Sequence, residues 1–313
     1  MHALALTAFD GPAAVSMLDL PNPVATADGV VVAVEAAGIG TWDAQTTHGA
    51  FAGMGGLTTF PQVLGWDLAG TVAAVGENVS RWSVGDPMLG FSAQPWTGAG
   101  AFAQLIAVDS AVLAPRPATL DAFTAAAFPV TALTADLAVL AAAIGPGDSV
   151  LVLGAAGSVG SLIVQLARAA GATVIASVSL SQSDLARDLG AETVVDRAGD
   201  VTEQVLAEHG RVDAIIDAVG PAAWSPAIGA VRPAGHFVTV VPPAIPDDSL
   251  GLTSTVIGVQ PDAVRLRELA EQLGSGALRI RIADVVPLSE GSAQLRRVES
   301  GGLTGKLVLD PAR

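Results

Sequence analysis

The stretch Ser149-Val150-Leu151-Val152-Leu153-Gly154-Ala155-Ala156-Gly157-Ser158-Val159-Gly160 is the strongest structural signal in this chain. An apolar run of strand type leads directly into a glycine turn, and a helical pattern continues from the turn to Ala170. At the N-terminus of such a helix, exposed N–H groups and the helix dipole favour negative charge. Strand, glycine turn and helix in this order therefore predict a site for the pyrophosphate of a dinucleotide.

The three glycines of the turn have separate expected roles. They permit a tight turn, close approach of the backbone to the pyrophosphate, and close packing of the helix on the strand. The alternative is a turn that serves helix–strand packing alone, but the flanking strand and helix and the βα units that follow favour cofactor binding. The predicted cradle comprises Gly154, Ala155, Ala156, Gly157, Ser158, Val159 and Gly160.

The end of the next predicted strand bears on the choice of cofactor. Twenty residues after Gly157 the chain reaches Ser177, where a site that prefers NAD would place Asp or Glu against the ribose 2′-hydroxyl. No acid follows until Asp184, and the hydroxyls of Ser177 and Ser179 suit a 2′-phosphate. Arg197 is the best candidate for a positive partner, with a solvated surface arginine as the alternative. NADPH is therefore the predicted cofactor.

Composition excludes several classes of function. With 313 residues, the chain is long enough for about two domains. It has no cysteine, so disulfides and thiolate metal sites are excluded and a reducing compartment is expected. The net charge of −15 argues against nucleic acid or an anionic membrane as a partner. Lys306 is the only lysine beside many arginines, which we interpret as codon bias without functional content.

The sequence is apolar enough to raise the possibility of a membrane segment, because 51% of the residues are hydrophobic and the mean hydropathy is +0.54. Residues 149–167 carry no charge and approach the length of a membrane span. Glycines and serines interrupt them, however, and the pattern changes from strand to helix midway. The N-terminus lacks the basic start and apolar core of a signal peptide. We therefore expect a cytoplasmic protein that has no membrane partner.

Three successive stretches predict an α/β fold. Residues 1–116 hold short strand-type runs separated by Gly, Pro and Asp turns, which indicates a compact β-rich domain. Residues 117–258 alternate strands with helices, the pattern of a doubly wound parallel sheet covered on both faces. Residues 259–313 add a helix, a strand, a short helix and a final strand. The clearest predicted elements are strands Ala101–Val108, Thr173–Val178 and His236–Val241, and helices Ser183–Leu189 and Val201–His209, the last opening at Asp200 and ending at Gly210.

A hydrolase is the rival interpretation of the glycine turn. Residues 156–160 nearly match the G-x-S-x-G nucleophile elbow, which is also a strand–turn–helix device. Ser158, Asp217 and His236 follow in the chain order of that hydrolase triad. Against it, Ala156 stands where the elbow requires glycine, and His236 would begin a strand rather than lie on a loop. A Ser158-based hydrolase is therefore a remote alternative.

Other chemistry in the sequence is sparse. The four histidines show no ligand spacing such as H-E-x-x-H, so no metal site is predicted. Trp42, Trp66 and Trp96 lie in the β-rich stretch and are candidates for an apolar substrate pocket. Core packing is the alternative role for each of them.

Short motifs of one protein family are found along nearly the whole chain. Each is weak evidence alone, but together, in the family's order, they are specific for it. They are Ala36-Ala37-Gly38-Ile39; Leu64-Gly65-Trp66-Asp67-Leu68-Ala69-Gly70-Thr71-Val72; Val75-Gly76 before Val84-Gly85-Asp86; Phe128-Pro129-Val130-Thr131-Ala132-Leu133-Thr134-Ala135; Val164-Gln165-Leu166-Ala167; Leu189-Gly190-Ala191; Asp217-Ala218-Val219-Gly220; and Gly305-Lys306-Leu307-Val308-Leu309. By these residues the chain resembles the zinc-independent medium-chain dehydrogenase/reductases, close to quinone oxidoreductases and enoyl reductases.

The resemblance implies a GroES-like catalytic domain, formed by residues 1–116 with 259–313, and a Rossmann NADPH-binding domain at residues 117–258. It also implies hydride transfer from C4 of NADPH to an activated double bond or a quinone. It places the region of Thr134 towards the nicotinamide end of the cofactor. The residues expected to line that end are Val219, Gly220, Val240 and Val241. Assembly as a homodimer is a further expectation from the family.

Departures from the family pattern concern the metal and the proton. In zinc-dependent relatives, a catalytic Cys and His stand at the positions that correspond to Gly40 and Trp66 of this chain. The resemblance therefore implies that zinc catalysis is lost. Asp43 and Asp67 stay as expected structural hydrogen-bond partners. Quinone reductases of this type usually carry Asn-Pro where this chain has Gly40-Thr41, and often a tyrosine downstream, whereas this chain has no tyrosine.

The main hypothesis is an NADPH-dependent reductase of a small, apolar enone or enoyl substrate. Such catalysis needs orientation, a water-poor pocket and hydrogen bonds to the developing enolate oxygen. From their positions, Thr41, Thr134 and backbone amides are expected to donate those bonds, and His48 or water to protonate the carbon. The alternatives are an NADPH:quinone oxidoreductase and a non-catalytic NADPH-binding protein. Substrate specificity is expected to depend on residues 42–60, 91–100 and 242–256.

Overall fold

The structure, a computed structural model, describes residues 1–241 and 245–313. The chain divides into two compact units, Met1–Val130 with Gln260–Arg313, and Thr131–Val259. The first unit thus extends through Val130, beyond the predicted limit at residue 116. The physical reason is the helix Ala122–Ala126, which packs against strands of the first unit.

The secondary structure is distributed as the sequence pattern predicts, β-rich at first and then alternating. The strands are β1 His2–Leu6, β2 Val15–Asp19, β3 Gly29–Ile39, β4 Gln62–Val63, β5 Asp67–Val75, β6 Pro87–Phe91, β7 Leu105–Asp109, β8 Leu113–Pro115, β9 Ser149–Leu153, β10 Thr173–Val178, β11 Thr193–Asp196, β12 Val212–Asp217, β13 Val231–Thr239, β14 Thr253–Val256, β15 Ile282–Pro287 and β16 Lys306–Asp310. The α-helices are α1 Thr41–Thr47, α2 Gln94–Thr97, α3 Ala122–Ala126, α4 Pro129–Ala141, α5 Ser158–Ala169, α6 Ser183–Leu189, α7 Val201–His209, α8 Pro221–Ala227, α9 Ala263–Gly274 and α10 Gly291–Glu299.

The second unit is built on a parallel sheet with the strand order β11-β10-β9-β12-β13-β14. This is the order of a Rossmann sheet, because the chain runs outward from β9 in one direction and then outward from β12 in the other. Such a sheet binds its ligand at the carboxyl ends of the strands, at the point where the order reverses. The predicted α/β fold with a doubly wound sheet is therefore confirmed. Fully buried side chains of the sheet core include Leu151, Ile175, Ile215 and Phe237.

Helices α6 and α7 begin and end at the predicted residues, because neighbouring residues cap them. Helix α7 begins after Asp200, whose carboxylate accepts the N–H of Glu203 at 2.9 Å. Helix α6 ends at Gly190, which has a φ of +112°. Strand β13 differs from the prediction, since it begins earlier, at Val231, and ends at Thr239 rather than at Val241.

The first unit is centred on β3, the longest of its strands in the described ranges. Its main sheet has the order β15-β16-β3-β5-β6-β8, and β7 also pairs with β3. One edge of β3 is shared by two partners, because β7 pairs with residues 29–33 and β16 pairs with residues 37–39. The C-terminal strand thus completes the sheet begun by the N-terminal part of the chain. Strand β7 begins only at Leu105, because the preceding residues bond instead to the segment around Leu4 and Leu64.

Hydrophobic packing in this unit joins strands from both ends of the chain. Its core includes Leu4, Val30, Leu68, Phe102 and Leu307, all fully buried. Across the described ranges, none of the helices is long and apolar enough to span a bilayer.

Candidate functional site

The glycine turn after β9 has the geometry that a pyrophosphate cradle needs. Gly154 has a φ of +76°, and a Cβ added to it would lie 2.6 Å from Cγ2 of Val219. A Cβ on Gly160 would overlap the carbonyl oxygen of Gly154 and lie 2.8 Å from its carbonyl carbon. Both positions therefore require glycine for the fold itself, the first for the turn and the second for close packing of α5.

Gly157 differs from the other two glycines. A Cβ at this position would meet only the carbonyl oxygen of Gly154, at 3.3 Å, and Gly157 is half-buried at the start of α5. Protein packing therefore restricts a Cβ here much less than at Gly154 and Gly160, whereas a ligand brought against the backbone would require glycine. The first N–H groups of α5 have no partner within the helix and are available to an anion. The residues present thus fit the pyrophosphate of a dinucleotide.

A buried carboxylate organises the loops beside the cradle. Asp217, fully buried at the end of β12, accepts the N–H groups of Val219 and Gly220, both at 3.0 Å. Its other oxygen accepts the hydroxyl of Thr239 at 2.8 Å. Thr239 in turn accepts the N–H of Val241 at 3.0 Å. One network therefore joins the loop at Val219 and Gly220 to the loop at Val241, which were both predicted to line the nicotinamide end of the cofactor. The sequence analysis did not assign this organising role to Asp217.

The hydrolase interpretation is wrong on the same evidence. Both oxygens of Asp217 bind backbone N–H groups or Thr239. His236 pairs with Ala214 on the neighbouring strand, whereas Asp217 pairs with Thr239, three residues further along the strand. Its Nδ1 is buried without a hydrogen-bond partner among the described residues. Ser158, Asp217 and His236 therefore form no triad.

Polar residues at the end of β10 lie on the same edge of the sheet as the glycine turn. Ser177 is 4% exposed and stands opposite Leu153, the residue before Gly154. Arg197 lies beside the end of β10, since its N–H donates to the carbonyl of Val178 at 2.9 Å. Its side chain is exposed. Ser179 follows Val178 and begins the short turn Leu180–Gln182.

In the first unit, the three predicted pocket tryptophans lie in one aromatic cluster. The ring centroids of Trp66 lie 6.4 Å from Trp42 and 5.9 Å from Trp96. Phe51 joins both Trp66, at 5.5 Å, and Trp96, at 5.4 Å, and Phe91 stacks on Trp66 at 6.2 Å. Trp66 is buried, whereas Trp96 is 37% exposed, so the cluster has an open side. Phe51 and Phe91 fall within the predicted specificity segments 42–60 and 91–100 but were not singled out, because nothing in their local sequence marks them.

Zinc does not fit the two positions where zinc-dependent relatives place their ligands. Glycine offers no ligand at position 40, and a Cβ there would overlap the indole ring of Trp42. The indole of Trp66 is a hydrogen-bond donor and not a metal ligand. Within residues 1–241 and 245–313, no group of three His, Cys, Asp or Glu side chains could hold a metal ion.

Buried charges lie directly against the aromatic cluster. Lys306 is 3% exposed, and its Nζ lies 2.9 Å from Oδ2 of Asp67 and 4.0 Å from the ring centroid of Trp42. Oδ1 of Asp67 accepts the N–H of Val130 at 2.7 Å. Asp43 is also fully buried, and its oxygens accept the N–H groups of Gly40 at 2.7 Å and Trp66 at 3.2 Å. The predicted structural roles of both aspartates are confirmed, and Lys306 has a structural role that the sequence did not indicate.

The pKa of Asp43 predicts a specific pH dependence of stability. Burial raises this pKa to about 8, because lost hydration outweighs the N–H donors and the nearby Lys306. In the unfolded chain the pKa is about 3.9, so between these values the folded protein holds a proton that the unfolded chain releases. The free energy of unfolding should therefore fall as pH rises, by up to about 1.4 kcal/mol per unit from this group.

Asp43→Asn removes this titrating group and should make the dependence less steep, while the slope contributed by Asp67, whose pKa is also raised by burial, stays. Guanidinium unfolding of both proteins at pH 5, 6 and 7 measures the two slopes. Identical slopes would contradict the raised pKa.

The predicted catalytic residues belong to helices α1 and α4. Thr41 is the exposed first residue of α1, and His48 ends the same helix. The His48 ring lies 2.6 Å from the carboxylate of Glu299 on α10. Thr134 is buried in α4, in the second unit. Residues 242–244 of the third predicted specificity segment lie outside the described residues.

Comparisons with known proteins match both units. Residues 26–118 match the family described as alcohol dehydrogenase GroES-like domain, and residues 158–257 match the family described as zinc-binding dehydrogenase. The chain is similar to 2-methylene-furan-3-one reductase of Solanum lycopersicum, with 30% identity covering 95% of this chain and 76% of the relative. It is also similar to the chloroplastic NADPH-dependent alkenal/one oxidoreductase of Arabidopsis thaliana, with 29% identity covering 91% and 72%.

Among solved structures, the quinone oxidoreductase from Coxiella burnetii superposes with a TM-score of 0.87, at 27% identity over 99% of both chains. The predicted GroES-like and Rossmann domains and the predicted family resemblance are thereby confirmed. Since one relative is chloroplastic by name, the cytoplasmic location stays a prediction, as does the homodimer.

Proposed function

The chain belongs to the medium-chain dehydrogenase/reductase family, and from this premise we propose that it is a zinc-independent, NADPH-dependent reductase of enone or enoyl C=C bonds. The observation that carries the proposal is the aromatic cluster, in which Trp66 stands at one position where zinc-dependent relatives have a ligand and the ring of Trp42 fills the side-chain space beside the other, Gly40. An apolar wall there suits a conjugated hydrocarbon segment better than an alcohol bound to a metal. Two relatives are reductases of conjugated ketones or alkenals by name.

The Rossmann unit supplies the residues that would hold the cofactor. The glycine turn and the first N–H groups of α5 would bind the pyrophosphate, and the loops fixed by Asp217 would support the nicotinamide end. Ser177, Ser179 and Arg197 would bind the 2′-phosphate. When bound, NADPH supplies a hydride from its C4 position.

The chain's own groups then polarise and protonate the substrate. Thr41, Thr134 and backbone amides are proposed to donate hydrogen bonds to the developing enolate oxygen, and water or His48 to deliver the proton to carbon. The aromatic cluster would exclude water from the conjugated segment. Small, apolar, unsaturated compounds are therefore the proposed substrates.

Arg197→Ala should weaken the preference for NADPH. A hydrogen bond to a charged group is worth about 1.5–3 kcal/mol, so the KM for NADPH should rise about 10–100-fold while the KM for NADH stays unchanged. Arg232→Ala is the control, because Arg232 pairs with Asp213, which binds Ser149 at the opposite end of β9. Steady-state kinetics measure the KM values for NADPH and for NADH in the wild-type protein and in both variants. An equal change in both KM values would contradict the assignment of Arg197.

The experiment that tests the proposed function is NADPH oxidation against a panel of enones, enoyl thioesters and quinones. Turnover of the conjugated carbonyl compounds is the expected result. Quinone reduction is the second candidate, favoured by the likeness to a quinone oxidoreductase, and a quinone radical detected by spin resonance would support it. Tight NADPH binding without turnover of any compound would instead identify a non-catalytic binding protein.

A further inference from the structure

Helix α2 carries a buried carboxamide, that of Gln94. Gln94 is 0% exposed, and neither its Oε1 nor its Nε2 has a hydrogen-bond partner among the described residues. Buried amides in native proteins are nearly always bonded, since an unsatisfied one destabilises the fold. An exception of this kind needs an explanation, and the usual ones are a catalytic role, stored strain, or a bound water or ion.

The backbone around Gln94 is firmly held. The indole N–H of Trp96 donates to the carbonyl of Met54 at 3.1 Å, and the N–H of Leu57 donates to the carbonyl of Pro95 at 2.6 Å. The carbonyl of Gln94 itself accepts the N–H of Gly98 at 2.8 Å. Because its surroundings are fixed by these bonds, the unsatisfied side chain is not the result of a loose segment.

Further unsatisfied donors belong to the neighbouring aromatic cluster. In the part of the chain that the structure describes, the buried Nε1 atoms of Trp42 and Trp66 also lack partners. Gln94 stands two residues before Trp96, whose ring lies 5.9 Å from that of Trp66. Gln94 thus offers an amide N–H donor and an amide oxygen acceptor, and the cluster offers two indole N–H donors. The complementary ligand group is rich in acceptors, as a carbonyl oxygen is, and the surrounding rings suit an apolar conjugated segment.

We propose that Gln94 determines substrate specificity by donating its Nε2–H to the carbonyl oxygen of an α,β-unsaturated carbonyl compound. The inference rests on the proposed function and names the substrate group that this site recognises. This hydrogen bond would favour conjugated carbonyl compounds, whose oxygen accepts the amide N–H, over plain alkenes, which would leave the amide without a partner. A carbonyl held in this way is also polarised, so the same bond would strengthen as negative charge develops on the oxygen.

Gln94→Met tests the inference, with Gln62→Met as the matched control. Gln62 is also buried, at 4% exposure, but its Nε2 donates to the carbonyl of Leu57 at 2.9 Å. Methionine keeps the unbranched chain and removes the polar atoms. We expect Gln94→Met to raise Tm by about 2–4 °C, because it removes an unsatisfied buried amide, and Gln62→Met to lower Tm.

Binding is measured without cofactor by quenching of tryptophan fluorescence. The probes are a saturated ketone, which has the carbonyl but no conjugated C=C bond to accept a hydride at the β-carbon, and a hydrocarbon of the same size. Gln94→Met should raise the Kd for the ketone about tenfold and leave that for the hydrocarbon unchanged. A lower Tm for Gln94→Met, an unchanged ketone Kd, or no preference of the wild-type protein for the ketone would each overturn the inference.

These measurements separate the inference from the proposed function. If the wild-type protein oxidises NADPH with enones while Gln94→Met keeps the ketone affinity, only the role of Gln94 fails. If the wild-type protein turns over nothing while the ketone result holds, only the reductase function fails.

Discussion

Gly160→Ala is expected to abolish useful binding of NADPH. The added Cβ would overlap the carbonyl oxygen of Gly154 and lie 3.0 Å from Cα of Ala155, so backbone atoms would have to move. The start of α5 and its N–H donors would move with them. Charged hydrogen bonds are worth about 1.5–3 kcal/mol each, so misaligning two of them should raise the Kd for NADPH at least about 100-fold.

A graded series makes this prediction sharper. Gly157→Ala makes one tight contact, with the carbonyl oxygen of Gly154 at 3.3 Å, so it should destabilise the fold far less than Gly160→Ala and still lose NADPH affinity, since its Cβ takes space that the pyrophosphate needs. Gly145→Ala is the control, because a Cβ there would have nothing within 4 Å. Fluorescence titration with NADPH and thermal unfolding are measured for each variant. Wild-type affinity in Gly160→Ala or Gly157→Ala would contradict the cradle.

Lys306→Met is expected to cause the largest loss of stability in the first unit. It leaves Asp67 buried without its cation, and removing one partner of a buried ion pair costs about 3–5 kcal/mol. Adding Asp67→Asn should restore most of that loss, because neutral partners need no buried counterion. Denaturant unfolding of the single and double variants gives the two free energies. A cost below about 1 kcal/mol for Lys306→Met would show that the pair is unimportant.

The sequence predicted the second unit well because its signals are local. Strand β10 and helices α6 and α7 have the predicted bounds, since each is set by neighbouring residues such as the Asp200 cap and Gly190. The glycine turn was predicted for the same reason. Its three glycines lie within seven residues, and their roles depend on backbone conformation there.

The first unit was harder to predict because its site is assembled from distant parts of the chain. Lys306 meets Asp67 across 239 residues of sequence, and no local pattern announces that contact. Phe51 and Phe91 join the tryptophans only through the packing of separate loops and strands. Burial of Gln94 is likewise a tertiary property, since an isolated Gln-Pro-Trp sequence does not show which side chains are covered.

The most direct test of the central claim uses NADPH deuterated at C4 with an enone that the protein turns over. Mass spectrometry and NMR of the saturated ketone locate the label. The proposed reductase transfers the deuteride to the β-carbon, and the proton on the α-carbon originates from solvent, directly or through His48. Hydrogen from solvent at the β-carbon, or no consumption of NADPH with any conjugated carbonyl compound, would contradict it.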